Sequence, residues 1–168
     1  MTKEIKFSDF KVGKTAVFNK IFTKNDFIEF SKLSGDKNPL HHDNVFAKKS
    51  EFMKTIVPVH LAISPFSRIA GMIFPGLPSL YLGHEIRAIK AIHYNEKLTF
   101  SAKIIEINSV LKVLTIRVLV FKPLEVLIDA EIKVQSRLDV WKINSYAKEI
   151  LASHDTAIIT GSSGEIGS

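Results

Sequence analysis

Four consecutive runs of strand-forming residues fill most of the sequence after residue 80 and restrict its fold more than any other feature. They extend from Leu80 to His93, Leu98 to Ile107, Val110 to Phe121 and Val126 to Leu138. Short links that are polar or contain proline join them, which is typical of antiparallel strands that follow one another as a meander. A chain of 168 residues has room for one principal domain built on such a sheet.

The residues before these runs predict one further strand and two helices. Thr15 to Phe22 alternate loosely in β-favouring types. A helix is expected to begin after Thr23, in a capping-box-like arrangement, and to end at Gly35 in a left-handed conformation. The apolar segment from Pro58 to Met72 predicts a long, largely buried helix, with Pro58 as its first residue and a kink rather than a break at Pro65.

This order of elements predicts an α+β domain in which an antiparallel sheet wraps around the long central helix. We expect the domain to occupy residues 1–140. Residues 141–155 follow as a helical connector, because their apolar side chains recur on one helix face.

The last residues, 156–168, have the pattern of a dinucleotide-binding turn. Gly161, Gly164 and Gly167 directly follow an apolar strand run, and such glycines let the backbone approach a pyrophosphate. The segment resembles the first strand and turn of a short-chain dehydrogenase/reductase, a Rossmann-type fold. Because the helix, the ribose-binding acid and the catalytic residues do not follow, we expect a truncated segment that binds no cofactor. The chain is then the front part or a relic of a fusion, and the alternative is a coincidental glycine-rich tail.

Composition excludes several classes of function. The sequence has no cysteine, which rules out disulfides, thiolate nucleophiles and cysteine zinc sites. Its net charge of +6 comes from lysines scattered along the chain, which favours a solvated basic surface that attracts small anionic partners over a nucleic-acid site. The apolar region from Val57 to Leu82 is too interrupted for a membrane span. The N-terminal residues MTKEIKF lack the apolar stretch of a signal peptide, so a cytoplasmic location is expected.

The segment from Phe30 to Asp43, FSKLSGDKNPLHHD, carries the strongest signal for chemistry. It resembles the signature of the MaoC-like (R)-specific enoyl-thioester hydratase family nearly residue for residue. The preceding FKVGKTAVFNKIFTKNDF and the later PGLPSLYLGHEIRAIKAIHYNEKL are also similar to that family, so the resemblance covers most of residues 10–138. It implies the hot-dog fold, a homodimer, and a thioester substrate carried on coenzyme A or an acyl carrier protein.

The resemblance also implies roles for particular residues. Asp36 and His41 stand where the family's aspartate and histidine activate one water during syn hydration of a trans-2-enoyl thioester. Carboxylate and imidazole suit the proton transfers that this reaction requires. Asn38 is expected to hold the loop or the water. Both catalytic residues are expected on a surface loop, where their loss would change stability little.

One departure from the family lies at the start of the central helix. Pro58 and Val59 stand where the family usually has histidine and glycine, and the glycine amide helps to bind the thioester oxygen. Val59 keeps the amide donor but adds an isopropyl group to a place that glycine leaves open. The same departure makes activity the open question about this chain.

Alternative interpretations remain at this stage. Asp36 and His41 are each compatible with a structural loop role, and the domain with a non-catalytic acyl-binding or dimerisation module of a fused reductase. A hot-dog thioesterase ranks below both because it has no reason to keep the Asp-x-Asn-Pro-x-His spacing. A metal site at His42 and Asp43 is rejected, because adjacent side chains rarely converge on one ion.

Overall fold

Five antiparallel strands form a sheet in the computed structural model, which describes residues 6–137. The strands are β1 (Thr15–Ile21), β2 (Ser79–Ala88), β3 (Lys97–Asn108), β4 (Val113–Lys122) and β5 (Glu125–Ser136). The four strand-forming runs and the earlier β1 therefore all form strands, and most of their ends lie within three residues of the predicted limits. The exception is β2, which ends at Ala88, five residues before the predicted His93.

The predicted meander is correct for β3, β4 and β5 but wrong for β2. The order across the sheet is β1-β3-β4-β5-β2, so β2 pairs with β5 at one edge and not with β3. The link between β2 and β3 carries the chain from the edge strand β2 to β3, which lies beside the opposite edge strand β1. On the way, Ile92 accepts a hydrogen bond from the amide of Val57 (2.7 Å), and the amide of Asn95 donates to Phe22 (2.8 Å). These contacts between distant segments hold the link in place.

Helix α1 (Lys24–Ser34) has the predicted limits because local capping groups fix both ends. The Thr23 hydroxyl accepts a hydrogen bond from the amide of Asp26 (3.2 Å), while the Asp26 carboxylate accepts one from the amide of Thr23 (2.6 Å). Gly35 ends the helix in the left-handed conformation, with φ of 75°. The chain therefore leaves α1 in a defined direction at Asp36.

The central helical segment is interrupted where the sequence predicts one long helix with a kink. It consists of α3 (Val59–Ala62), α4 (Pro65–Arg68) and a π-helical turn (Ile69–Ile73), with the short helix α2 (Asn44–Lys48) upstream. Pro65 lacks an amide donor, and near it the backbone forms tighter bonds from Ser64 to Leu61 (3.1 Å) and from Phe66 to Ile63 (2.8 Å). Pro58 is the residue before the first turn rather than its first residue.

The inner face of the sheet and this helical segment share a hydrophobic core. Its largest fully buried side chains come from β3, β4 and β5, from the helical segment and from the loop after β1, and they include Phe100, Ile116, Ile132, Ile69 and Phe22. The predicted α+β architecture, with an antiparallel sheet around the central helical segment, is confirmed. In residues 6–137 no helix is long and apolar enough to cross a bilayer.

The predicted helical connector of residues 141–155 and the dinucleotide-like segment of residues 156–168, with Gly161, Gly164 and Gly167, lie outside the described residues. Both therefore stay predictions, as does the domain boundary at residue 140.

Gly35→Ala should destabilise the protein by about 1 kcal/mol, because alanine pays a steric penalty in the left-handed conformation. No atom lies within 4 Å of the added Cβ at either Gly35 or Gly71, so crowding does not contribute. Gly71→Ala is the matched control, since Gly71 lies in the π-helical turn without a positive φ, and its replacement should leave stability unchanged or raise it. Urea unfolding measures both. Equal effects of the two substitutions would contradict this account.

Candidate active site

The loop that follows α1, residues 36–43, is a tight turn held by its own polar groups. The side-chain oxygen of Asn38 accepts a hydrogen bond from the amide of Leu40 (3.0 Å). The backbone carbonyl of Asn38 accepts one from the amide of His41 (3.0 Å). Residues Pro39–His41 form a single 3-10 turn as a result. The Asn-Pro sequence thus folds the chain back so that His41 returns towards Asp36.

Asp36 and His41 come together as predicted, with 3.7 Å between Oδ2 of Asp36 and Nε2 of His41. The other carboxylate oxygen, Oδ1, accepts a hydrogen bond from the amide of Asn38 (3.0 Å), which orients the carboxylate. The Asp36 side chain is one-third exposed. One carboxylate oxygen and one ring nitrogen therefore face each other where solvent and substrate can reach the carboxylate.

The ring of His41 is oriented by the backbone of Ile56, whose carbonyl lies 2.9 Å from Nδ1. A carbonyl oxygen can only accept, so Nδ1 carries the proton in this contact. Nε2 is therefore the ring nitrogen that is left to exchange a proton on the side of Asp36. Sequence reasoning missed Ile56, because a backbone carbonyl leaves no signal in the residue pattern.

The loop lies at the surface as predicted, but His41 itself is only 9% exposed. The Phe27 ring of α1 covers it, with ring centroids 5.8 Å apart. The hydrogen bond to the Ile56 carbonyl allows the imidazole to be buried, because a buried ring nitrogen needs a polar partner. Asp36 keeps its partial exposure, so the two residues differ in environment.

A cleft of about 470 Å³ opens beside this pair. Its polar lining includes Asp36, His41, His60 and Lys90. The apolar lining comes from the segment before α3, from α3 itself, from the end of β2 with the β2–β3 link, and from β5 (Phe52, Ile56, Val57, Pro58, Val59, Ala62, Ala88, Ile89, Ala91, Ile92 and Ile128). The Lys90 amine pairs with Glu125 at 2.7 Å. A mostly apolar cleft with a carboxylate and an imidazole at its wall suits an acyl chain with a reactive group near one end.

The structure places the two predicted substrate-binding residues differently. Val59 is the first residue of α3 and lines the cleft, with 38% of its surface exposed. Asn38 caps the 3-10 turn and does not belong to the cleft lining. Its position fits holding the loop, and contact of either residue with substrate stays a prediction.

His42 and Asp43 point to structural partners. The His42 ring stacks on Phe27, with centroids 5.8 Å apart and planes at 18°. Asp43 caps α2, and hydrogen bonds from the amides of Phe46 and Val45 lower the pKa of its carboxyl. Among the described residues, no group of three or more His, Cys, Asp or Glu side chains could hold a metal ion.

Two further residues beside the loop were not identified from the sequence. The Lys24 amine donates to the carbonyl of His41 (3.2 Å) and lies 4.6 Å from the centre of the Tyr94 ring. Burial, and after it the negative charge of Asp36, raises the pKa of the Tyr94 hydroxyl. Neither residue lies in the FSKLSGDKNPLHHD segment, so only the folded chain brings them to it.

Comparison with known proteins finds several that are similar to this chain. A family model described as the MaoC like domain matches residues 9–118. The (R)-specific enoyl-CoA hydratase of Aeromonas caviae is 33% identical over 94 residues, which cover 56% of this chain and 70% of that protein. A mitochondrial 3-hydroxyacyl-[acyl-carrier-protein] dehydratase of Solanum lycopersicum is 28% identical over a match that covers 60% of this chain and 59% of that protein. A 3-hydroxybutyryl-CoA dehydratase of Methylorubrum extorquens is 29% identical over a match that covers 58% of this chain and 55% of that protein.

Solved structures show the same fold. The (R)-hydratase of A. caviae involved in PHA biosynthesis superposes with a TM-score of 0.72 at 27% identity, covering 76% of this chain and 97% of that one. The unliganded R-hydratase PhaJ1 of Pseudomonas aeruginosa also superposes with a TM-score of 0.72, covering 79% of this chain and 85% of that one. Its sequence identity is 22%, so this likeness supports the fold only. The family model spans well over half of the sequence, and the fold is the hot-dog fold that the resemblance implies. The chain therefore belongs to the MaoC-like domain family.

Proposed function

We propose that this chain catalyses the reversible hydration of trans-2-enoyl thioesters, and equally the dehydration of (R)-3-hydroxyacyl thioesters, carried on coenzyme A or an acyl carrier protein. The observation that carries the proposal is the 3.7 Å approach of Asp36 Oδ2 to His41 Nε2 at the wall of an apolar cleft. The hydratase and dehydratases named above support the same reaction class.

The geometry suggests how the reaction proceeds. A water that contacts both Oδ2 of Asp36 and Nε2 of His41 loses a proton to this pair as its oxygen bonds to the β-carbon. The electrons of the carbon–carbon double bond move towards the thioester carbonyl, which becomes enolate-like. The pair then delivers a proton to the α-carbon, and the carbonyl re-forms. The net change adds one water across the double bond.

The start of α3 is where we place the thioester carbonyl. Backbone amides at the start of a helix are free of intrahelical partners and stabilise developing negative charge. Val59 supplies such an amide, and its side chain lines the same cleft as Asp36. The isopropyl group narrows the space beside the amide, so Val59 selects the shape of the thioester end that fits.

The Val59 side chain also favours a second candidate function, a non-catalytic acyl-binding or dimerisation module. In that case the cleft holds an acyl group without the carbonyl contact that turnover requires. Binding of an enoyl thioester without its conversion would identify the module.

We also propose a homodimer. Strand β2 pairs with β5 on one side only, and Leu80 and Leu82 on this edge strand are each 49% exposed. An edge strand with exposed leucines favours pairing with another strand. Pairing between two copies at this edge would extend the sheet and satisfy the open backbone groups of β2.

Asp36→Asn and His41→Ala should each reduce hydration of a short enoyl thioester by about 10² to 10⁴, the usual effect of losing a general acid or base. Asp36→Asn should hardly change stability. His41→Ala should cost about 1 to 3 kcal/mol, because the Ile56 carbonyl loses its buried donor. The spectrophotometric assay follows loss of enoyl-thioester absorbance. His42→Ala, next in sequence but stacked outside the cleft, is the control and should retain turnover. Equal activity of all three variants would contradict the assignment.

Val59→Gly should raise the turnover of the protein, because glycine keeps the amide and removes the isopropyl group from the cleft. It should restore nothing in the Asp36→Asn background, since that variant lacks one member of the catalytic pair. Steady-state kinetics of the two single variants and the double variant test this. A fall in turnover of Val59→Gly would show that the side chain aids binding rather than crowding the site.

Sedimentation velocity at micromolar protein should show a dimer, because the exposed edge of β2 can be covered by a second copy. A monomer whose sedimentation does not depend on concentration would refute the proposed assembly, without bearing on the chemistry of Asp36 and His41.

A further inference from the structure

The amine of Lys24 reaches from the first turn of α1 to the end of the 36–43 loop. Its Nζ donates to the carbonyl of His41 (3.2 Å) and to that of His42 (3.5 Å). We propose that Lys24 is a positioning residue, which holds the backbone of the loop so that His41 keeps its place against Asp36. This inference rests on the proposed function for its kinetic part.

The two carbonyls are among those that the 3-10 turn leaves open; a third, that of Leu40, accepts a hydrogen bond from the amide of Ile56 (3.3 Å). Within the turn, the carbonyl of Asn38 accepts from the amide of His41, and the carbonyl of Pro39 accepts from the amides of His42 and Asp43. The last carbonyls of a helical turn have no partner further along the turn and need one from elsewhere. Lys24 supplies it, as cationic side chains do near helix C-termini.

The position of the amine is itself fixed from a third segment. The Tyr94 ring, on the link between β2 and β3, lies 4.6 Å below the amine, within the range of a cation–π interaction. The next residue, Asn95, is tied by its amide to the carbonyl of Phe22 (2.8 Å), just before α1. Burial lowers the pKa of Lys24, as expected for an amine held between a ring and a loop. The lysine therefore joins the loop, the start of α1 and the link.

His41 is thus held at two points that act on different parts of the residue. The Ile56 carbonyl orients the ring through Nδ1, and Lys24 holds the backbone through the carbonyl oxygen. Lys24 does not line the cleft, so its loss should not remove a contact with substrate. It should instead loosen the placement of Nε2 relative to Asp36. Misplacement of a catalytic group lowers the rate of the chemical step more than it weakens binding.

Lys24→Met tests the proposal, because methionine keeps the aliphatic stem and helix propensity while removing the donor. We expect kcat to fall about ten-fold, because the loop loses its charge-assisted hydrogen bonds to the amine, with KM within about two-fold of wild type. Lys20→Met is the matched control. Like Lys24, Lys20 has an amine that makes a polar contact (with the Asp26 carboxylate, 3.3 Å) and lies over a ring (Phe22, 5.2 Å), but these contacts do not involve the 36–43 loop. It should leave kcat unchanged.

Backbone amide hydrogen exchange gives a readout that does not depend on activity. In Lys24→Met, exchange of the amides of residues 41–43 should become about ten-fold faster, while Lys20→Met should match wild type. Lys24→Gln is the replacement variant if Lys24→Met folds poorly. Its side chain is too short to reach both carbonyls, so both measurements should give the same result as for Lys24→Met.

The two measurements separate the two claims. If the wild-type protein shows no hydratase activity while Lys24→Met still exchanges faster, the proposed function is refuted and the positioning of the loop by Lys24 is supported. Unchanged exchange, or faster exchange with kcat unchanged in an active protein, would overturn the positioning role.

Discussion

The hydrogen bond from Nδ1 of His41 to the carbonyl of Ile56 is the contact on which the rest of the site depends. It joins the loop after α1 to the segment before α3, and it leaves Nε2 free to face Asp36. The contact continues beyond the pair, because Ile56 forms a β-bridge with His93 in the β2–β3 link. The loop after α1, the segment before α3 and the β2–β3 link are thereby held together around the imidazole of His41. Chemistry at the pair requires this rigidity, since both proton transfers need fixed distances.

The same arrangement explains why the cleft lies where it does. Its walls come from the start of the central helical segment and from the end of β2 with the link that follows, and the sheet packs behind them. Apolar side chains line most of it, and the Lys90 amine at its border is neutralised by Glu125. An acyl chain is therefore favoured inside the cleft. Under the proposed function, the net charge of +6 of the whole sequence favours the approach of an anionic carrier.

Local signals made part of this structure predictable. Thr23 and Gly35 set the limits of α1 because capping acts within a few residues, and the Asn-Pro turn brought Asp36 to His41 for the same reason. Features that depend on distant segments were wrong or missed. The pairing of β2 with β5 follows from a long link, the burial of His41 from a backbone carbonyl fifteen residues away, and the Lys24 contact from an amine seventeen residues before its acceptor.

The most direct test of the central claim is whether the unmodified protein converts crotonyl-coenzyme A. Loss of the conjugated enoyl-thioester absorbance, approaching the same equilibrium as a reaction started from (R)-3-hydroxybutyryl-coenzyme A, is the result that the Asp36–His41 geometry predicts. Folded, dimeric protein that leaves enoyl thioesters of several lengths unchanged, on coenzyme A and on acyl carrier protein, would contradict the enzyme assignment and favour the acyl-binding module.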